Sequence, residues 1–182
     1  SRINTQGFDA QKNSTPSAYG LTANEPDNDG YLNDSYSLQL GHRFSNSADL
    51  SATFLNSQGN TEYDGYYDST EFLQQVWGAK FGISPLGNWR MNLSAGRSID
   101  ESSNFISRVF RSRFNTERQI ASWQNDINLG TKRLLTLGVD SQKDAIVSSS
   151  AYTQTSRDNV GAYGQYQETI GAGDVLLSLR SD

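Results

Sequence analysis

Five aspartates carry the chemistry that is legible in this chain. Asp9 stands in Gly7-Phe8-Asp9, Asp27 and Asp29 in Asp27-Asn28-Asp29-Gly30, and Asp64 and Asp68 in Tyr63-Asp64-Gly65-Tyr66-Tyr67-Asp68. All five fall in polar, aromatic-laced links between strand-like runs, on what the pattern makes one end of a meandering sheet. Clustered carboxylates repel one another unless a cation sits among them. Hard oxygen donors of this kind suit calcium, which takes about 6–8 oxygens in flexible geometry. Taken alone, Asp-Asn-Asp-Gly is more often a turn than a calcium loop. It also fails as an EF-hand: with Glu25 in the first position the twelfth is Tyr36, so the bidentate Glu is missing.

Few other chemistries are open to these 182 residues. The chain has no cysteine, which excludes a disulfide scaffold and a thiolate metal site. Its single histidine, His42, lies beside a short turn, and no ordered nucleophile motif accompanies it, so the chain is not expected to be an enzyme. Gly171-Ala172-Gly173 reads as a hairpin turn rather than a phosphate loop, because no helix follows it. A net charge of −5 argues against nucleic acid as a partner. Arg108, Arg111 and Arg113, with Arg118 close behind, cluster in and after a long polar link. They form either a solvated loop tip or a set of guanidinium contacts to lipopolysaccharide phosphates at the extracellular membrane rim.

The elements that must position these residues repeat at period two. Tyr36, Leu38 and Leu40 alternate with polar neighbours, as do Leu50, Ala52 and Phe54. The clearest run is Trp89, Met91, Leu93 and Ala95 against Arg90, Asn92, Ser94 and Gly96. This alternation predicts an all-β antiparallel meander of about eight strands, near residues 34–44, 48–57, 71–83, 88–99, 114–129, 133–142, 158–169 and 174–181. Leu93 and Leu137 belong to its apolar face, Asn92 and Thr136 to the other. Short turns near 45–47, 84–88, 130–132 and 171–173 alternate with long polar links near 4–33, 57–70, 99–113 and 142–157. Short on one side and long on the other is the layout of a transmembrane outer-membrane β-barrel or part of one, whose strands need only about 10 residues to cross. Trp77, Trp89 and Trp123, with Phe44, Phe54, Phe81 and Tyr166, are expected toward strand ends as aromatic girdles. A soluble β-sandwich also alternates, but its polar face is usually rich in Lys and Glu. Here that face is Ser, Asn, Gln, Gly and Arg.

The chain resembles the TonB-dependent outer-membrane transporters, specifically the vitamin B12 (cobalamin) transporter family. The residues that carry the resemblance are Gly7-Phe8-Asp9, the stretch 22–30 with its Asp27-Asn28-Asp29-Gly30 core, Asn60-Thr61-Glu62-Tyr63-Asp64-Gly65-Tyr66-Tyr67, and Arg180-Ser181-Asp182. It extends over nearly the whole chain in register and corresponds to the front-middle part of the family's barrel. The stretch 12–18 departs from the family pattern. Such transporters hold a plug domain inside a barrel of about 22 strands. With strands for about eight, no plug, no energy-coupling motif and no terminal aromatic, residues 1–182 are expected to be a barrel fragment. The resemblance implies cobalamin-type substrate uptake, energised by the TonB protein through regions outside this chain, with calcium ordering the substrate-contacting loops. The implied calcium ligands are Asp9, Asp27, Asp29, Asp64 and Asp68, with Tyr63 offering its backbone carbonyl. A non-transport surface β-protein and a passive porin are the competing functions.

Overall fold

The structure, a computed structural model, describes residues 1–9, 27–44 and 47–182. The expectations that fell on residues 12–18, on 22–26 and on Ser45 and Asn46 lie outside these. Period-two alternation produces strands, and no helix occurs among the described residues. The strands are β1 (Arg2–Thr5), β2 (Tyr31–Arg43), β3 (Ala48–Glu62), β4 (Ser69–Leu86), β5 (Trp89–Ile106), β6 (Val109–Gly130), β7 (Arg133–Ser148), β8 (Ser156–Ile170) and β9 (Gly173–Ser181). They join in chain order into one antiparallel sheet that does not close; β1 and β9 are its edges.

The expected antiparallel meander of about eight strands is present, and the short Arg2–Thr5, which pairs with the start of β2, makes a ninth. The lengths of the long links need correction. The link expected over 99–113 is not a loop. β5 and β6 run through it as a hairpin that turns at Ser107-Arg108. Arg111 and Arg113 therefore lie on a strand, and only Arg108 lies in a turn. Likewise β3 reaches Glu62 and β7 reaches Ser148. Above the apolar stretch polar and charged residues interrupt both strand faces, so hydrophobic alternation ceases while the backbone ladder continues. Trp77, Phe81 and Trp123 consequently lie in mid-strand rather than toward strand ends. Pro85, which cannot donate to a ladder, sits where β4 shifts register against β5 between Ile83 and Leu86.

The sheet is one layer thick, and the backbone of each strand runs beside only its neighbours in sequence. Ala48 is the one fully buried hydrophobic side chain among the described residues. The two faces differ in chemistry, as the alternation requires. Phe81 pairs with Leu93, Leu93 with Trp123, and Trp123 with Val139, a continuous apolar row in which Phe81 is half-buried and the other three stay exposed. Leu137 belongs to the same face. On the other face Asn92 and Thr136 both bond to Asp126. Antiparallel pairing also sorts the connections. The short turns, including Gly87-Asn88, Thr131-Lys132 and Gly171-Ala172, lie at one end. The links 6–30, 63–68, 107–108 and 149–155 lie at the other.

Candidate functional site at the loop end of the sheet

Two strand ends create the site. β2 begins at Tyr31, paired with Thr61 near the end of β3, so the residues before Tyr31 meet those after Glu62. Asp27, Asp29 and Asp64 each bring a carboxylate oxygen within 4.8 Å of the other two. Asp27 is exposed; Asp29 and Asp64 are half-buried. The backbone holds this approach from several sides. The Asp29 amide donates to the Phe8 carbonyl at 3.3 Å, and the Glu62 amide to the Gly30 carbonyl at 2.9 Å. The Gly30 amide donates back to the Glu62 carboxylate at 3.2 Å. Glu62 lies inside a motif noted in the sequence but was not singled out there. Only the register of β2 against β3 gives it a role.

Of the six residues considered as ligands, three form this trio. Asp9 lies beside Phe8, whose carbonyl is tied to Asp29, but it is not part of the trio. Asp68 also lies outside the trio. One of its carboxylate oxygens accepts the Ser107 amide and the other accepts the Ser69 hydroxyl at 2.9 Å. Tyr63 donates its amide to the Asp68 carbonyl at 3.0 Å, and its hydroxyl lies 2.8 Å from the Thr70 hydroxyl.

Gly7 makes the first segment fit. Its φ is +62°, and a Cβ there would lie 1.8 Å from the Asp29 carbonyl oxygen. Gly7→Ala combines left-handed strain of roughly 1–2 kcal/mol with a collision against backbone that cannot swing aside. The expected outcome is that residues 7–9 part from Asp29 and the carboxylates lose their mutual placement. Solution NMR of the Asp29 amide in the complete chain should show its protection lost, with the strand ladder unchanged.

Below the acidic site the polar face is a network. Asp126 accepts from Asn92, Gln124 and Thr136. Arg180 spans Asp140 and Asp182, and Asp144 accepts from Arg118 and Arg157, each at 2.7 Å. Tyr163 donates to Gln124 at 3.0 Å. Its ring lies where Gly138 leaves room, because a Cβ on Gly138 would lie 2.3 Å from it. Gly138→Ala should displace the ring and break that bond, lowering stability by about 1 kcal/mol in denaturant unfolding. Among the described residues two buried polar side chains share the parity of the apolar face, Asn56 and Asn125, and Asn125 accepts the Trp89 indole N–H at 3.1 Å. At the loop side, the row Phe54, Trp77, Arg97, Gln119 and Lys143 ends the apolar stretch. Just past it, hydrogen bonds from Arg97 and then Gln119 pull the Glu117 carboxyl down to about 2. Arg108, Arg111 and Arg113 are exposed and stand further out along β5 and β6.

This arrangement defines an open, all-β antiparallel meander, apolar on one face and hydrogen-bonded on the other, with an oxygen-rich cluster at its loop end. Within that class, the chain is 25% identical over 145 residues to the vitamin B12 transporter BtuB of Photobacterium profundum, a match that covers 76% of this chain. The chain spans about a quarter of that relative's length, 24%. No family model matches.

Proposed function

We propose that this chain is a wall segment of an outer-membrane β-barrel that takes up a cobalamin-type substrate, with calcium ordering the loops at one rim. The observation that carries the reading is the pair of opposed faces on a single layer. Nothing in the described residues covers the apolar face, and an apolar surface this extensive marks an interaction surface. Lipid is the cover that suits it, because the ladder satisfies the backbone polar groups of the strands between the two edges β1 and β9, and the proposed barrel would supply partners for those edges. The membrane-crossing part runs from the short turns to the row of Trp77, Arg97, Gln119 and Lys143. From Trp89 to Arg97 this is about 26 Å measured along the strand, or roughly 20 Å of height at the tilt of about 40° usual in such barrels, whose apolar band is about 25 Å tall. The substrate class rests on the likeness to a protein named a vitamin B12 transporter. Coupling to a TonB protein belongs to regions of the complete protein outside these residues.

Calcium fits the residues present. The trio supplies only hard oxygen donors, drawn from the segment before β2 and the link after β3. Asp27, Asp29 and Asp64 would hold the ion, with Asp9, Asp68 and the Tyr63 carbonyl as the further donors that the resemblance implies. A divalent charge there offsets carboxylate repulsion and ties the two links together.

The test uses the complete chain in lipid vesicles with cyanocobalamin. Saturable binding that tightens on adding millimolar calcium supports the proposal. Calcium-independent leakage of unrelated small solutes indicates a passive porin. Recovery of folded protein without detergent or lipid indicates a surface β-protein. A further expected outcome concerns Arg111 and Arg113, whose guanidinium groups suit phosphate. Replacing both with Gln should reduce the lipopolysaccharide that copurifies with the complete chain. Undiminished retention would leave these arginines as solvated strand residues.

A further inference from the structure

Large side chains do not cover the apolar face evenly. Ala52 pairs with Ala79, Ala79 with Ala95, Ala95 with Ala121, and Ala121 with Ser141. These small residues form one row that crosses five strands. The row of Phe81, Leu93, Trp123 and Val139 stands on its short-turn side, and the row of Trp77, Arg97, Gln119 and Lys143 on its loop side. Between Ala79 and Ser141, beside the row of Trp123, lies a groove of about 500 Å³. Four strand spacings separate Ala52 from Ser141, roughly 19 Å at about 4.8 Å each, enough for most of an extended fatty-acyl chain. Methylenes that fill such a trough gain dispersion contacts on several sides.

The loop side of this groove is charged. Glu117 accepts two bonds of 2.7 Å from Arg97 and one of 2.6 Å from the Gln119 side-chain amide. Lys143 closes no ion pair among the described residues, although Asp158 faces it in the register of β7 on β8. From this row outward, the same face of β5, β6 and β7 carries Arg97, Lys143 and Arg113 against Glu101 and Glu117. On these three strands cations therefore exceed carboxylates where the apolar stretch stops.

We propose that the groove and its charged rim form a binding site for one lipid with an anionic phosphate headgroup. The phosphate sits at Lys143 with Arg97 and Gln119 beside it, and one acyl chain lies across Ala121, Ala95 and Ala79. The proposal rests on the reading that lipid covers the apolar face, and adds that one lipid there is held by shape and charge. Ammonium and guanidinium groups suit phosphate, and a Lys at a membrane surface reaches headgroup level on its own aliphatic stem. Asp158 opposes part of this attraction, so the expected preference for an anionic lipid is that of a single cation.

The test is quenching of Trp123, which lines the groove, by brominated lipids. The complete chain is placed in phosphatidylcholine vesicles doped with brominated phosphatidylglycerol or with brominated phosphatidylcholine. Subtracting the signal of Trp123→Phe isolates Trp123. Half-quenching of wild type should need about fivefold less of the anionic lipid, the worth of one cation near a membrane surface. Lys143→Gln should bring the two lipids to within about twofold of each other. Ala95→Leu fills the groove floor and should raise the anionic lipid needed for half-quenching by about threefold. Equal quenching of wild type by both lipids overturns the proposal, as does a fivefold preference that survives Lys143→Gln. Unchanged quenching in Ala95→Leu also overturns it, by taking the groove out of the site; if that variant does not fold, the Lys143→Gln comparison decides alone. No quenching of Trp123 by either lipid would overturn the wider reading that lipid covers this face, and the site with it.

Discussion

Asp64→Ala combined with Asp29→Ala is expected to abolish calcium binding by the complete chain and to erase the calcium dependence of cobalamin affinity. The three carboxylates of the trio converge within 4.8 Å. Two like charges about 4 Å apart repel by about 1 kcal/mol in bulk water and about 4 kcal/mol at the effective dielectric of a protein surface. Asp29 and Asp64 are half-buried, so their repulsion lies between these limits, and a divalent ion reverses its sign. Removing both takes away two of three donors, one from each link. Affinity before substitution should lie near the weak, extracellular end of the calcium range, on the order of 10⁻⁴ M. Substrate that closes the loops should tighten it by linkage. Calorimetry decides the matter: unaltered binding in the double variant would mean that these aspartates are only solvated loop residues. Asp64→Ala alone should lower cobalamin affinity and remove its response to calcium, because it is the trio's contribution from the link after β3.

Leu93→Arg is expected to destabilise the complete barrel in lipid by about 2–4 kcal/mol, whereas Asn92→Arg should change it by under about 1 kcal/mol. The two positions are adjacent in sequence and opposite in facing. Leu93 sits between Phe81 and Trp123 in the exposed apolar row. A guanidinium there would have to leave lipid or drag water inward. Asn92 faces the polar network and bonds to Asp126, so a cation arriving there meets a carboxylate. Reversible urea unfolding of both variants in the same lipid measures the difference. Equal costs would mean that the apolar face is not covered by lipid, and a larger cost for Asn92→Arg would mean that the facing is reversed.

The pattern of residues was a good guide wherever one face is apolar. The run from Trp89 to Ala95 could be assigned to β5, and Leu93 to one face against Asn92, because a one-residue slip would turn every apolar side chain to the polar face. The same rule failed above Arg97. There the apolar residues Ile99, Phe105, Ile106, Val109 and Phe110 no longer alternate, no single face sets the hydrophobic cost of a slip, and the sequence from residue 99 to 113 looks like a loop although all of it but Ser107, Arg108 and Arg111 is paired in a hairpin. Ser107-Arg108 carries none of the Gly or Asn that marks a hairpin turn. Its stability comes from Asp68, 39 residues earlier, a contact with no local signature.

The amino-acid sequence by itself determined the all-β class, the two faces, the alternation of short and long connections, and the gathering of Asp9, Asp27, Asp29, Asp64 and Asp68 at one end of the sheet. Each of these follows from local properties: side-chain period, turn composition, and the rule that antiparallel strands send alternate links to the same end. Only the tertiary structure decided which of those aspartates meet. Asp27, Asp29 and Asp64 converge because the register of β2 on β3 places Tyr31 against Thr61 and lets Gly7 approach Asp29. Asp68, four residues beyond Asp64, turns to the β5–β6 hairpin instead. Spacing along the chain cannot express this choice, because it depends on hydrogen-bond donors that other strands bring into reach.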